Sequence, residues 1–203
     1  VIVSDAPPFH PDFLKTLPIY KVLYSQDDPE STYLRNIPYL HAYHHVFFCT
    51  PVYTADMDMA DKMKHCGMQN ADFVPIGVRS FDLDDELANG LFEAQRDIDI
   101  LFVGSFYRPK IALLARLKKT FGERFQWFGH LRLKHNLFLT VRYQYPFHVK
   151  PVSFSERRAL HQRARIGINV HNGYTVPNFG NHRVFYVAAN GAMLLTDGAR
   201  HID

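Results

Sequence analysis

Short β-rich runs alternate with segments of helical length along most of the chain, and this rhythm limits the fold more than any other feature. "VIVSD" (Val1 to Asp5), "KVLYSQ" (Lys21 to Gln26), "HVFFCT" (His45 to Thr50) and "DFVPIGV" (Asp72 to Val78) read as buried strands, each ending in turn or cap residues. Glu30 to Tyr43 and Tyr53 to His65 have helical length, the second closed by Gly67 after Cys66. Strands connected through helices pair in parallel, so the expected class is α/β. The acidic stretch "RSFDLDDELANGLFEAQRD" has no clean strand pattern and is expected to link this unit to a second one.

The second unit opens with "DIDILFVGSFYRPK": a strand from Ile98 to Val103, a glycine turn, and Pro109 placed to start a helix that runs to about Phe121. "RFQWFG" reads as the next strand. Arg132 to Val149, with local alternation and many aromatics, reads as an insertion or a surface-facing hairpin. Ser153 and Glu156 have capping-box spacing for a helix through Ala164, and "RIGINVH" is a further strand. A helix from Asn181 to Asn190 and a strand from Ala192 to Thr196 complete the pattern. The expected organisation is an N-terminal lobe over 1–78, a linker over 79–97 and a C-terminal lobe over 98–203. Neither lobe carries a full set of elements, so the chain is expected to be a fragment.

Composition narrows the setting. No apolar run is long enough to span a bilayer and no signal-peptide pattern is present. The two cysteines, Cys49 and Cys66, form no Cys-x-x-Cys pair, which favours a reducing compartment; a cytoplasmic location is expected. Charge is divided unevenly, with 7 basic and 15 acidic side chains through Asp97 but 16 basic and 5 acidic from Ile98 onward. A basic half of this kind attracts an anionic ligand, a nucleic acid or an anionic membrane surface, or is simply a solvated face.

Two stretches carry candidate chemistry. In "FVGSFYRPK" a glycine just past a parallel strand permits close backbone approach, and the following helix N-terminus presents free amides to an anion, with Arg108 and Lys110 adding formal charge. In "GYTVPNFGNHRVFYVAANGAMLLTD", Asn181 suits an N-cap and Gly191 a C′ position. Arg183 opposes the helix dipole in the first turn unless an anion lies there, which points to a phosphate or diphosphate.

"NVH" followed by a loop and "NHRVFYVAANGAMLLTD" resembles the Asn-x-Arg-x-Phe-Glu-x-x-Ala-x-Gly stretch of glycosyltransferases related to spore-maturation proteins, within the GT-B superfamily. "YSQDDPES", "MKHCGMQNADFVPIGV" and "DIDILFVGSF" look like the same family in the expected order, so the similarity runs from about Lys21 to Asp197. The resemblance implies two Rossmann-like lobes, with a nucleotide-diphosphate-sugar donor on the C-terminal lobe and an acceptor of unidentified kind: glycan, lipid-linked, protein or small molecule. It implies that Gly104, Ser105, Phe106, Arg108 and Lys110 lie near the donor diphosphate, with Gly180, Asn181 and Arg183 facing it. The diphosphate would leave against arginine, lysine and helix N-termini, with no cofactor and no divalent metal. Where the family has glutamate, this chain has Tyr186, a phenol without the carboxylate's charge or bidentate reach. That departure opens an alternative, a degenerate non-catalytic module that binds a nucleotide sugar or a protein partner.

Asp27 is the candidate general base of "SQDDPES", since Asp28 before Pro29 and Glu30 reads as an N-cap. His171 ends a strand at the edge expected to face the cleft. His41, His44 and His45 read as helix-end and surface residues rather than a metal site. In "RLKKTFGERFQWFGHLRLKH", Leu113, Leu114 and Leu117 are assigned to the buried face of a helix, with Arg116, Lys118 and Lys119 outside. No recognised nucleic-acid motif is present, and peripheral contact with a membrane bearing a lipid-linked acceptor is the other use of these cations.

Overall fold

A computed structural model of the chain describes residues 2–4, 9–25, 37–54, 56–75, 77, 95–104, 108–129, 133–170 and 182–197. The protein is α/β, with two four-stranded parallel sheets. Contacts divide it into two compact units, one holding the described residues through Gly77, the other those between Val78 and Asn172 together with His182–Asp197.

The first unit contains β1 (Ile2–Ser4), α1 (Pro11–Thr16), β2 (Val22–Ser25), a 3-10 turn (Ile37–Ala42), β3 (His45–Phe48), β4 (Val52–Thr54), β5 (Met57–Asp58), α2 (Met59–His65) and β6 (Ala71–Phe73). Its sheet runs β1-β2-β3-β6, with Val22 level with His45 and Val46 level with Ala71. Leu23, Leu40, Val46, Phe48, Met59 and Met63 form the centre of its core.

Three sequence expectations change here. The described part of the predicted Glu30 to Tyr43 helix is a 3-10 turn, because Pro38 has no N–H to donate and its ring disfavours the helical conformation for Ile37. The predicted Tyr53 to His65 helix starts at Met59; Val52–Thr54 pairs antiparallel with Met57–Asp58, and extended Asp58 (ψ 153°) forms the boundary. The strand predicted over Asp72 to Val78 stops at Phe73, two residues before Pro75, which has no N–H for a ladder. Helix α1 was carried by no periodic signal in the sequence. Its end is fastened by the Leu17 amide donating to Leu14 O, and Leu14 is buried.

The second unit contains β7 (Ile98–Val103), α3 (Arg108–Phe121), β8 (Phe125–Phe128), α4 (Leu133–Tyr143), α5 (Phe154–Arg163), β9 (Ala164–Asn169), α6 (His182–Ala189) and β10 (Met193–Thr196). Its sheet runs β10-β9-β7-β8. Phe102, Ile111, Leu114, Phe125, Trp127 and Leu139 pack α3 and α4 on one face, while Leu101, Val103, Ala164 and Val187 pack against the other. Arg132 to Val149 is not a hairpin, since Leu133–Tyr143 is helical. Ser153 and Glu156 form the predicted capping box, with Glu156 N donating to Ser153 Oγ (3.3 Å) and Ser153 N to Glu156 Oε2 (2.7 Å). Gly191 follows α6 at φ 74°, the conformation that ends a helix at little cost only with glycine.

Helix α3 also departs from its predicted face. Ile111, Leu114 and Ala115 are buried, but Leu113 is exposed. Lys118, assigned to the outside, folds back so that Nζ donates to Gly122 O (2.9 Å) and Phe125 O (3.0 Å), tying the helix end to β8.

Candidate functional site

The chain passes from β7 outward to β8 and then crosses back to β9 on the other side of β7. Such a reversal sends the helices after β7 and β9 to opposite faces and opens a crevice at the carboxyl ends of those strands, the usual place for a ligand in an open parallel sheet. Three described features converge there. Val103 ends β7 with Gly104 directly after it, Asn169 ends β9, and the first turn of α6 brings in Arg183.

Arg183 bridges the carboxyl ends of β7 and β9. Its Nε donates to Val103 O (2.9 Å) and its Nη1 to Asn169 Oδ1 (3.0 Å), and the guanidinium carbon lies 4.8 Å from the centre of the Phe102 ring. Asn169, itself buried, continues the network through Nδ2 to Thr196 Oγ1 at the end of β10 (2.9 Å). Two side chains, Arg183 and Asn169, thus link the ends of three strands. Burial lowers the Arg183 pKa to about 10, with the charge of Arg157 acting in the same direction and Asp197 opposing. It remains a cation at neutral pH, held in a partly desolvated position where its field is screened weakly.

Gly104 is required by this arrangement, although not only for ligand approach. A β-carbon there would overlap the Arg183 guanidinium and crowd the Phe102 ring. At the end of β8, a β-carbon on Gly129 would overlap Gly104 O. The two glycines bring the backbones after β7 and β8 together, with Gly104 N donating to Phe128 O (3.0 Å).

Further cations lie at the same end. Lys110, in the first turn of α3, is buried. Arg157, in the first turn of α5, sits with its guanidinium carbon 4.3 Å from the centre of the Tyr186 ring. Tyr186 is 1% exposed and packs edge-on against His161 (5.4 Å) and stacked with His182 (6.0 Å). His161 is also buried, and desolvation, followed by the charges of Arg157 and Arg183, lowers its pKa to about 4. The imidazole is therefore neutral at pH 7.

The basic half of the sequence is not one patch. At the opposite, amino-terminal end of the same sheet's strands, Arg163 pairs with Asp97, while Arg124 and Arg165 both pair with Asp99. The Arg163 hydrogen bond holds the Asp97 carboxyl below the ordinary range, and Arg124, then Arg165, does so for Asp99. Arg96 Nη1 donates to Ala164 O (2.7 Å), so the last residues of the predicted linker are fastened to this unit.

Of the residues singled out from sequence, Gly104, Lys110, Arg183 and Tyr186 lie around the carboxyl end of this sheet. Arg108 opens α3, but its side chain is outside the described residues. Asp27, Ser105, Phe106, His171, Gly180 and Asn181 also lie outside them. Sequence reasoning missed Asn169, Arg157 and His161. Asn169 had a visible signal, a polar residue closing the otherwise apolar "IGIN"; the others lie on a helix whose pattern offers none.

In the first unit, the histidines of "HAYHH" separate. His44 Nδ1 accepts from Lys21 N (3.0 Å), and the His45 ring meets Asp72 (2.9 Å). His41 and His44 line an open groove of about 380 Å³ with Cys66 and Asn70. Among the described residues, no three His, Cys, Asp or Glu side chains are grouped to hold a metal ion, and no helix is long and apolar enough to cross a membrane.

Compared with known proteins, the chain matches no family model, and no curated protein matches it.

Proposed function

We propose that this protein is a GT-B-type glycosyltransferase, or the nucleotide-sugar-binding part of one. In this reading the two units are its Rossmann-like lobes, and a nucleotide-diphosphate-sugar sits at the carboxyl end of the second sheet. The observation that carries the reading is the partly buried Arg183 guanidinium, fixed at the strand-order reversal between β7 and β9. During transfer the bond from the anomeric carbon to the diphosphate oxygen breaks, an acceptor oxygen bonds that carbon, and the acceptor loses its proton. Negative charge grows on the departing diphosphate. A cation already anchored to the strand ends answers that charge without reorganising, which is the form of electrostatic stabilisation that lowers a barrier most. Arg157 and Lys110 add positive potential from two further helix starts, and the resemblance assigns Arg108, Ser105 and Asn181 to the same diphosphate.

A second reading rests on Tyr186. The position that carries glutamate in the resembling family is here an interior aromatic packed against Arg157 and His161. A side chain so placed contributes packing rather than a donor contact, which favours a module that binds a nucleotide sugar without transferring it.

Calorimetric titration with nucleoside diphosphates and their sugar conjugates tests the shared premise. Selective binding of one base is expected, weakened at least tenfold in Arg183→Lys, which keeps the charge but loses the planar fork. A folded sample that binds none of them refutes both readings. If binding is found, donor turnover in the presence of acceptor extracts separates them: turnover supports the enzyme, and turnover gained only in Tyr186→Glu supports the degenerate module.

A further inference from the structure

We propose that the second unit docks on an anionic lipid surface through the outward face of α4. The inward side of this helix combines Asn136 and Thr140 with fully buried Leu139 and half-buried Tyr143. Its inward polar groups are hydrogen-bonded: Asn136 Nδ2 donates to Val149 O (3.3 Å), Val149 N donates back to Asn136 Oδ1 (3.1 Å), and Phe147 N donates to Thr140 Oγ1 (3.1 Å). Leu139 alone is fully buried beside them. These bonds fix the rotation of the helix about its axis, because turning Asn136 outward would strand two backbone groups of Val149.

The opposite side is apolar. Leu133 is 84% exposed, Leu137 64%, Phe138 59% and Val141 72%. One exposed leucine is ordinary; four large apolar side chains on consecutive turns of one helix mark an interaction surface. Helix α3 packs beside α4 and carries a further exposed leucine, Leu113.

Charge selects the partner. Lys134 and Arg142 are exposed on α4, as are Arg116 and Lys119 on α3, and the sequence has no Asp or Glu between Glu123 and Glu156. A second copy docking face to face would set these cations against their own counterparts with no acid between them. An anionic bilayer satisfies both features, accepting the apolar side chains below its headgroups while the long basic side chains reach the phosphates. The inference does not depend on the transferase reading, since no nucleotide is involved.

Co-sedimentation with vesicles tests it. The protein is expected on phosphatidylcholine vesicles containing phosphatidylserine and not on phosphatidylcholine alone. Lys134→Gln or Arg142→Gln should each weaken binding about fivefold, and Leu137→Ser with Phe138→Ser at least about tenfold. All four side chains point outward, so unchanged thermal melting will show that these variants remain folded. Equal binding to both vesicles, or to neither, overturns the proposal. So does a dimer in sedimentation velocity that Leu137→Ser dissolves.

Discussion

The two units share one architecture, a four-stranded parallel sheet with helices, yet they are wound differently. In the first, the described strands lie in chain order, β1-β2-β3-β6; in the second the order is β10-β9-β7-β8, with a reversal beside β7. Winding in chain order keeps adding strands on one side, whereas a reversal splits the helices between two faces and leaves a crevice at the strand ends. Their interiors differ accordingly. The first core centres on Leu23, Phe48, Met59 and Met63 and also buries Lys21, Ser25 and Thr50, while the second buries Asn169, His161, Asn190 and much of Arg183. The same layer plan thus sets, in the second unit, a partly buried arginine at the strand-order reversal.

Each unit carries its own probe. The single tryptophan, Trp127, lies in the second core, and both cysteines lie in the first unit, Cys49 buried there. Tryptophan fluorescence and thiol reactivity therefore follow the two separately.

The largest effect is expected from Arg183→Met, which removes the charged donors to Val103 O and Asn169 and should cost about 4 kcal/mol. Urea unfolding followed by Trp127 fluorescence measures it, and Cys49 protection should stay unchanged; equal loss in both signals would break the distinction between the units. The next is a pH effect. His161 titrates near its ordinary value of 6.5 when unfolded but at about 4 when folded, so the unfolded chain binds the extra proton between those values. Stability of the second unit is complete above pH 6.5 and falls by about 3 kcal/mol as pH drops to 4. His161→Leu should flatten that slope, and an unaltered slope would assign the acid sensitivity elsewhere.

Smaller effects refine the picture. A β-carbon on Gly167 would overlap the Val187 side chain where β9 meets α6, so Gly167→Ala should cost about 2 kcal/mol. Adding Val187→Ala should recover part of the loss, and a double-mutant cycle without coupling would place the strain elsewhere. Ser153→Ala removes one side of the capping box and should cost about 1 kcal/mol in chemical denaturation.

How legible these features were depends on how local their causes are. The strand Ile98–Val103 was read to the residue, because an apolar run bounded by charge and glycine carries its own signal. The Ser153 capping box and the Gly191 stop were equally visible, since each is decided within four residues. Helix α4 escapes pattern reading because Asn136 and Thr140 share its inward side with Leu139 and Tyr143 while Leu133, Leu137, Phe138 and Val141 face outward, so apolar residues lie on both sides and no amphipathic rule recovers it. The candidate site was half visible. Arg183 stood out as a cation at the wrong end of a helix, but its partners on β7 and β9 lie 80 and 14 residues away in sequence.

The sequence by itself determined the α/β class, the helix caps and the concentration of positive charge beyond Ile98, all of which follow from propensity, spacing and composition over short windows. Only the tertiary structure decided the strand order with its reversal, the pairing of Arg124, Arg163 and Arg165 with Asp97 and Asp99 at the amino ends of the strands, and the burial of Tyr186 beneath Arg157. Those outcomes depend on which distant segments desolvate one another, and a side chain's charge, pKa and reach are set by its neighbours in space rather than in sequence.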